Sequence, residues 1–140
     1  MRAFILTLSA LLIACGGGGS PTSGDSLTPA QAEAMSVADM GDRLIDDTTE
    51  LAEILRGINS EADAEAAEPR LQAMVADYEI LKARFEQLDE NNMGAGDVMA
   101  FMRRAPALAS NVQAIAVEVE RLRTDHPEAS DRLGRILDDL

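Results

Sequence analysis

Apolar residues recur at spacings of three and four along most of the chain, a pattern that predicts amphipathic helices. The most regular run is Val98, Phe101, Ala105, Leu108, Val112, Ile115, Val119 and Leu122. An earlier run is Leu71, Met74, Tyr78, Leu81, Phe85 and Leu88, and the first is Val37, Gly41, Leu44, Thr48, Leu51, Leu55 and Ile58. Each run forms an apolar stripe, which we call a seam, that needs a partner helix to cover it.

Capping signals predict where these helices begin. Thr28 precedes Pro29, and Gln31 completes a capping box, so one long helix is expected from here to the Gly57–Asn59 segment. Ser60 caps the second helix in the same way. A turn rich in Asn and Gly follows, and Asp97 is the predicted cap of the third helix.

Two prolines fall inside the predicted helices without disturbing the apolar spacing. Pro69 and Pro106 should therefore kink their helices rather than end them. Pro127 fits the first position of a short last helix. The predicted fold is all-α: an antiparallel bundle of three long helices, kinked at prolines, plus a short C-terminal helix. A coiled-coil oligomer is the alternative, although Gly41 and the prolines disfavour a straight rod.

Composition supports helices and excludes some partners. Of the 140 residues, only 3% are aromatic, and the chain is rich in Ala, Leu, Met and Glu, which favour helix. The net charge of −13 repels phosphate backbones and anionic headgroups. Nucleic acid is therefore not an expected partner.

The N-terminus resembles an export signal. Arg2 is followed by the largely apolar segment Ala3–Ala14, which is too short to span a bilayer and fits the apolar region of a signal peptide. The only cysteine, Cys15, lies directly after it, where Gly and Ser residues begin. An ordinary secretory signal would leave this thiol unpaired in an exported protein.

Leu12-Ile13-Ala14-Cys15 resembles the lipobox of bacterial lipoproteins. The resemblance implies cleavage between Ala14 and Cys15 and a covalent lipid on the Cys15 sulfur, which would anchor the chain in a membrane of the cell envelope. No other cofactor is expected. Gly16 takes the place of the Asp that retains enterobacterial lipoproteins at the inner membrane, so the resemblance favours the outer membrane if the source is Gram-negative.

The predicted organisation has three parts. Residues 1–14 form the lipoprotein signal peptide, 15–26 the lipidated cysteine with a flexible Gly/Ser tether, and 27–140 the helical bundle domain. A flexible tether of this length has an average span of roughly 18 Å. It would hold the domain clear of the headgroups.

Candidate residues for chemistry are few, so no catalytic and no metal site is predicted. His126 is the only histidine and lies beside Pro127, as expected for a helix junction. The segment 89–94 resembles the start of a calcium loop but lacks the glutamate needed at its twelfth position, where Ala100 stands. The acidic residues of the first helix lie on its polar side.

Leu27-Thr28-Pro29-Ala30-Gln31 resembles the L-T-x-x-Q motif of the Spy/CpxP periplasmic chaperones, which are small helical proteins. The motif usually occurs twice there and once here. We expect a non-enzymatic binding or structural module that is held on the membrane by its lipid. An envelope protein is the partner that this interpretation suggests. A periplasmic holdase of the Spy/CpxP kind is the alternative, and a haem or metal carrier using His126 is a third class.

Overall fold

The computed structural model describes residues 26–88 and 93–138. The described residues form five α-helices, and no strand occurs among them: α1 (Pro29–Ala34), α2 (Val37–Gly57), α3 (Glu61–Gln87), α4 (Ala95–Asp125) and α5 (Pro127–Asp138). The predicted all-α class is therefore confirmed. None of the described helices combines the length and the apolar character needed to cross a membrane.

The expected first long helix is divided in two, so that prediction was wrong. Met35 is extended, with ψ of 140°, and ends α1. The Ser36 hydroxyl accepts a hydrogen bond from the Asp39 N–H at 3.1 Å, and the Asp39 carboxylate accepts from the Ser36 N–H at 3.2 Å. This second capping box starts α2 and interrupts the helix.

The other helix starts agree with the sequence except at α4. Thr28 and Gln31 form the predicted capping box, and Ser60 caps α3. Asp97 is not the cap of α4. The helix begins three residues earlier, after Gly94, and the Asp97 carboxylate accepts the Gly94 N–H at 3.0 Å. The carboxylate of an acidic residue in the first turn thus accepts the backbone N–H that precedes the helix, where its negative charge also interacts favourably with the helix dipole.

As predicted, the two interior prolines do not end their helices. Pro69 lies inside α3 and Pro106 inside α4. Each proline removes one backbone donor, and the bonds on both sides maintain the helix.

Helix α2 packs along α4 and, less extensively, against α3. Ion pairs join Asp42 to Arg104 and Arg56 to Glu118, so residue numbers rise together and α2 and α4 run parallel. The pair Glu50–Arg70, together with Arg43–Asp77, runs in the opposite order, so α2 and α3 are antiparallel. Helix α3 makes its larger contact with α5 and hardly approaches α4.

Gly41, an imperfection in the first seam, faces the Arg104 side chain of α4. A Cβ atom placed there would lie 2.8 Å from Arg104 Cδ, closer than van der Waals contact allows. The absent side chain therefore permits Arg104 to cross α2 and reach Asp42.

The buried apolar residues form two separate clusters. The lower cluster joins α2, α3, α4 and α5 and consists of Leu51, Leu55, Ile58, Ala64, Leu71, Met74, Leu122, Ala129 and Leu133. The upper cluster joins the N-terminal segment to α2 and α3 and consists of Leu27, Ala32, Val37, Met40 and Leu81. Burial of each large side chain stabilises the fold by about 1.5–3 kcal/mol.

Replacing Leu55 with Ala should destabilise the domain strongly. Leu55 is fully buried in the lower cluster, so truncation leaves a cavity and should cost about 2–5 kcal/mol in the free energy of unfolding. Urea denaturation followed by circular dichroism measures the change. Val117→Ala is the control because Val117 is exposed. Equal losses in both variants would contradict the placement of Leu55.

Candidate functional site

An open apolar groove of about 550 Å³ lies between α2, α3 and α4. Its size is within the range of small-molecule sites in proteins, which are also lined mainly by apolar side chains with a few polar groups. The lining residues are Leu44, Thr48 and Leu51 from α2, Tyr78, Leu81, Lys82 and Phe85 from α3, and Phe101, Leu108, Val112 and Ile115 from α4.

Apart from Lys82, every one of these lining residues belongs to a predicted seam. From their seam positions, Tyr78, Phe85 and Phe101 are expected in the core. Phe85 and Phe101 are partly buried and pack against the upper cluster, whereas Tyr78 is 37% exposed, and all three also line the groove. The seam of α4 is the most regular in sequence, yet Leu122 is its only fully buried member. Because α3 makes its larger contact with α5 and little contact with α4, much of this seam is not covered by α3.

The groove lies between the two core clusters. Phe85 and Phe101 close its upper end with an edge-to-face contact, their ring centroids 6.0 Å apart and their planes at 70°. Leu51 and Ile115 belong to the lower cluster or pack against it and mark the other end. From residue 101 to 115 the groove follows α4 for about 21 Å.

The polar group of Thr48 is already used within the protein. Its hydroxyl donates to the Leu44 carbonyl at 2.7 Å and accepts from Asn111 Nδ2 at 3.0 Å. Among the described lining residues, the groove therefore offers a ligand two polar groups, the Tyr78 hydroxyl and the Lys82 ammonium. These residues are four apart on α3 and share one side of the helix.

Lys82 is the only lysine in the 140 residues and the only charged residue among the described ones that line the groove. Its Nζ lies 3.8 Å from Glu79 Oε1, and both side chains are at least half exposed. A pair of this kind contributes little to stability and can be exchanged for another anion. The sequence reasoning did not select Lys82, although its uniqueness is visible there.

A buried ion-pair network lies beside the groove. Arg43 Nη2 donates to Asp77 Oδ2 at 2.8 Å, and Arg43 Nε donates to Asp47 Oδ2 at 2.9 Å. The second oxygen of Asp77 accepts the Leu27 N–H at 2.8 Å. Arg43 and Asp77 are each only 3% exposed, so the network ties α2 to α3 and to the segment before α1.

Burial raises the pKa of the Asp47 carboxyl above its ordinary value, although the Arg43 charge and hydrogen bond act in the opposite direction. Asp47 Oδ1 is buried and has no hydrogen-bond partner among the described residues. The carboxyl also borders a small cavity of about 40 Å³ that shares Leu44, Thr48 and Tyr78 with the groove.

Several residues singled out in the sequence lie elsewhere. Leu12, Ile13, Ala14 and Cys15, together with residues 89–92 of the calcium-like segment, lie outside the described residues. His126 is at the junction of α4 and α5, where its N–H donates to the Leu122 carbonyl at 2.9 Å and its carbonyl accepts from Ser130.

The L-T-x-x-Q residues have local structural roles. Thr28 and Gln31 make the capping box of α1, and Leu27 is buried in the same cluster as Ala32. In the part of the chain that the structure describes, no group of three or more His, Cys, Asp or Glu residues is arranged to hold a metal ion.

No protein-family model, curated protein or solved structure matches this chain. Any inference about function must therefore start from the geometry. The groove is the feature suited to holding an elongated apolar ligand.

Asp47→Asn should change how stability depends on pH. A carboxyl whose pKa is raised by folding contributes stability below its unfolded pKa and loses it as the pH rises through the folded pKa. The difference in unfolding free energy, the Asp47→Asn value minus the native value, should therefore become larger as the pH rises from about 4 to 7. Urea titrations across this range measure it.

Asp46→Asn is the matched control, because it removes the same charge from an exposed neighbour of Asp47. If the two variants follow the same pH dependence, the burial of Asp47 does not determine its pKa.

Proposed function

We propose that this chain is a lipid-anchored protein of the bacterial cell envelope whose helical domain is a non-enzymatic module that binds an elongated apolar ligand. The single observation that carries the binding role is the open groove, in which seam positions from three helices face a common space instead of each other. Apolar surface left open in this way is costly in water and favours a partner.

Support for the anchor comes from the sequence. The lipobox-like Leu12–Cys15 segment ends an apolar stretch, and the following Gly and Ser residues suit a tether. One lipid chain holds a protein only marginally, whereas two or more anchor it stably, as the lipoprotein resemblance implies. The anchor would keep the groove close to a source of apolar molecules.

We also propose the antiparallel bundle of three long helices as the scaffold of this module. The opposite order of residues in the α2–α3 ion pairs supports it. The return from α3 to α4 lies partly outside the described residues.

A holdase of the Spy/CpxP kind is the second candidate. The observation that favours it is the exposure of apolar side chains on α4, namely Val98, Met99, Met102, Val112 and Val117. A holdase must suppress the aggregation of an unfolded client at stoichiometric amounts. A module for a small ligand has no such activity, so an aggregation assay separates the two.

Cells that express the native chain in the presence of alkyne-labelled palmitate should label it at Cys15 and retain it in the membrane fraction. The Cys15→Ser chain should carry no label and should no longer be held in the membrane fraction by a lipid. Click detection measures the label, and fractionation measures the membrane-bound protein. A chain combining Cys15→Ser with Ser20→Cys is the control, since it has a thiol outside the lipobox-like segment. Label on that control, or none on the native chain, would contradict the anchor.

A hexadecanol bearing a diazirine should label the groove when the full chain is held in phosphatidylcholine nanodiscs and irradiated. Leu108→Glu should reduce this labelling about tenfold, because a carboxylate in an apolar site loses hydration. Peptide mass spectrometry locates and quantifies the adducts.

Val117→Glu is the matched control. Val117 lies on α4 about two and a half turns from Leu108, hence on the opposite side of the helix, and is 63% exposed. Circular dichroism shows whether each variant keeps its helices. Adducts that avoid the groove in the native chain would refute the binding role.

A further inference from the structure

We propose that the groove binds one long-chain fatty acid, with the acyl chain between α2, α3 and α4 and the carboxylate at Lys82. This inference rests on the proposed binding role and specifies the class of ligand. It follows from the shape of the groove, from the position of its polar groups and from its charge.

The shape fits a single acyl chain. The groove is elongated, extends about 21 Å along α4, and is closed at its upper end by Phe85 and Phe101. A length of this order matches one extended long-chain acyl group. The lining is aliphatic and aromatic along α2 and α4, where the Thr48 hydroxyl is already hydrogen-bonded.

The polar groups define a ligand with one polar end. Lys82 lies about one turn of α3 from Phe85, and Tyr78 lies one turn further, so both hydrogen-bonding groups lie towards the upper end of the groove. A ligand with several polar groups would leave some of them unpaired against the apolar walls.

The charge selects a carboxylate. Acidic residues outnumber Lys and Arg by 25 to 12 in the chain, yet the only charged residue among the described ones that line the groove is a cation. Hydrogen bonds between an ammonium and a carboxylate are stronger than neutral ones. The Lys82–Glu79 pair is exposed, so a ligand carboxylate can replace Glu79 at little cost.

The neighbouring charges do not oppose this assignment. Asp47 lines the adjoining small cavity and is paired with Arg43, and the buried Asp77 carboxyl is paired with Arg43 as well. Arg84 lines a separate cavity formed with Pro29 and Glu79, away from the groove. Lys82 is therefore the cation that a ligand in the groove would meet.

The test uses palmitic acid with a diazirine near its methyl end, added to the full chain in phosphatidylcholine nanodiscs. Photolysis and peptide mapping should place the adducts on groove residues of α2, α3 and α4. Unlabelled palmitate should compete about tenfold better than hexadecanol in the native chain, because only palmitate offers a carboxylate to Lys82. In Lys82→Met the two competitors should be equal, whereas Lys82→Arg should keep the preference.

Arg84→Met is the matched control, since it removes the same charge from the same helix outside the groove, and it should keep the preference for palmitate. Equal competition by palmitate and hexadecanol in the native chain would overturn the fatty-acid assignment and leave the binding role intact. Groove residues labelled by neither probe would refute the binding role itself.

Two other occupants have distinct signatures, and either would overturn the proposal. If the lipid proposed on Cys15 fills the groove, the photoprobe should label groove residues only in the Cys15→Ser chain. If a second copy of the chain fills it, native mass spectrometry should show a dimer whose formation prevents labelling.

Discussion

The buried pair between Arg43 and Asp77 determines how the helices are arranged. Neither group reaches water, and Arg43 also pairs with Asp47, so loss of Arg43 would leave two carboxylates without their shared cation. The pair fixes the alignment of α2 and α3, and the second Asp77 oxygen holds the backbone of Leu27. One carboxylate thus secures the upper cluster and one wall of the groove.

The groove follows from competition between helices for apolar partners. Helix α4 lies along α2 by means of the Asp42–Arg104 and Arg56–Glu118 pairs. Helix α3 is drawn to α5, where Arg132 faces glutamates including Glu68. Three helices with continuous seams could close on each other along their full length. Because α3 contacts α5 rather than closing on α4, the seam of α4 from Phe101 to Ile115 remains partly open as the groove.

Much of the fold could be predicted from the sequence because its signals are local. Capping residues such as Thr28 and Ser60 act within one turn. The seams predicted the buried positions of the lower cluster, such as Leu55 and Leu71, but not the exposure of Val98 and Val112 on α4. The break at Met35 was missed although Ser36 and Asp39 have the spacing of a capping box, because the helix start at Thr28 was extended directly into the seam that begins at Val37. The groove and its pairs could not be predicted, since a seam does not specify which helix covers it. Arg43 and Asp77, 34 residues apart, have no local signal at all.

The division of the core has a consequence for motion. Cooperative opening units in proteins correspond to groups of residues that bury each other. Here the division of the core predicts that Leu27, Ala32 and the rest of α1 open at a lower free-energy cost than the lower cluster, which holds α2, α3, α4 and α5 together. In the lipid-anchored protein that we propose, α1 follows the predicted tether in the sequence, so traction on the tether would be transmitted first to the upper cluster.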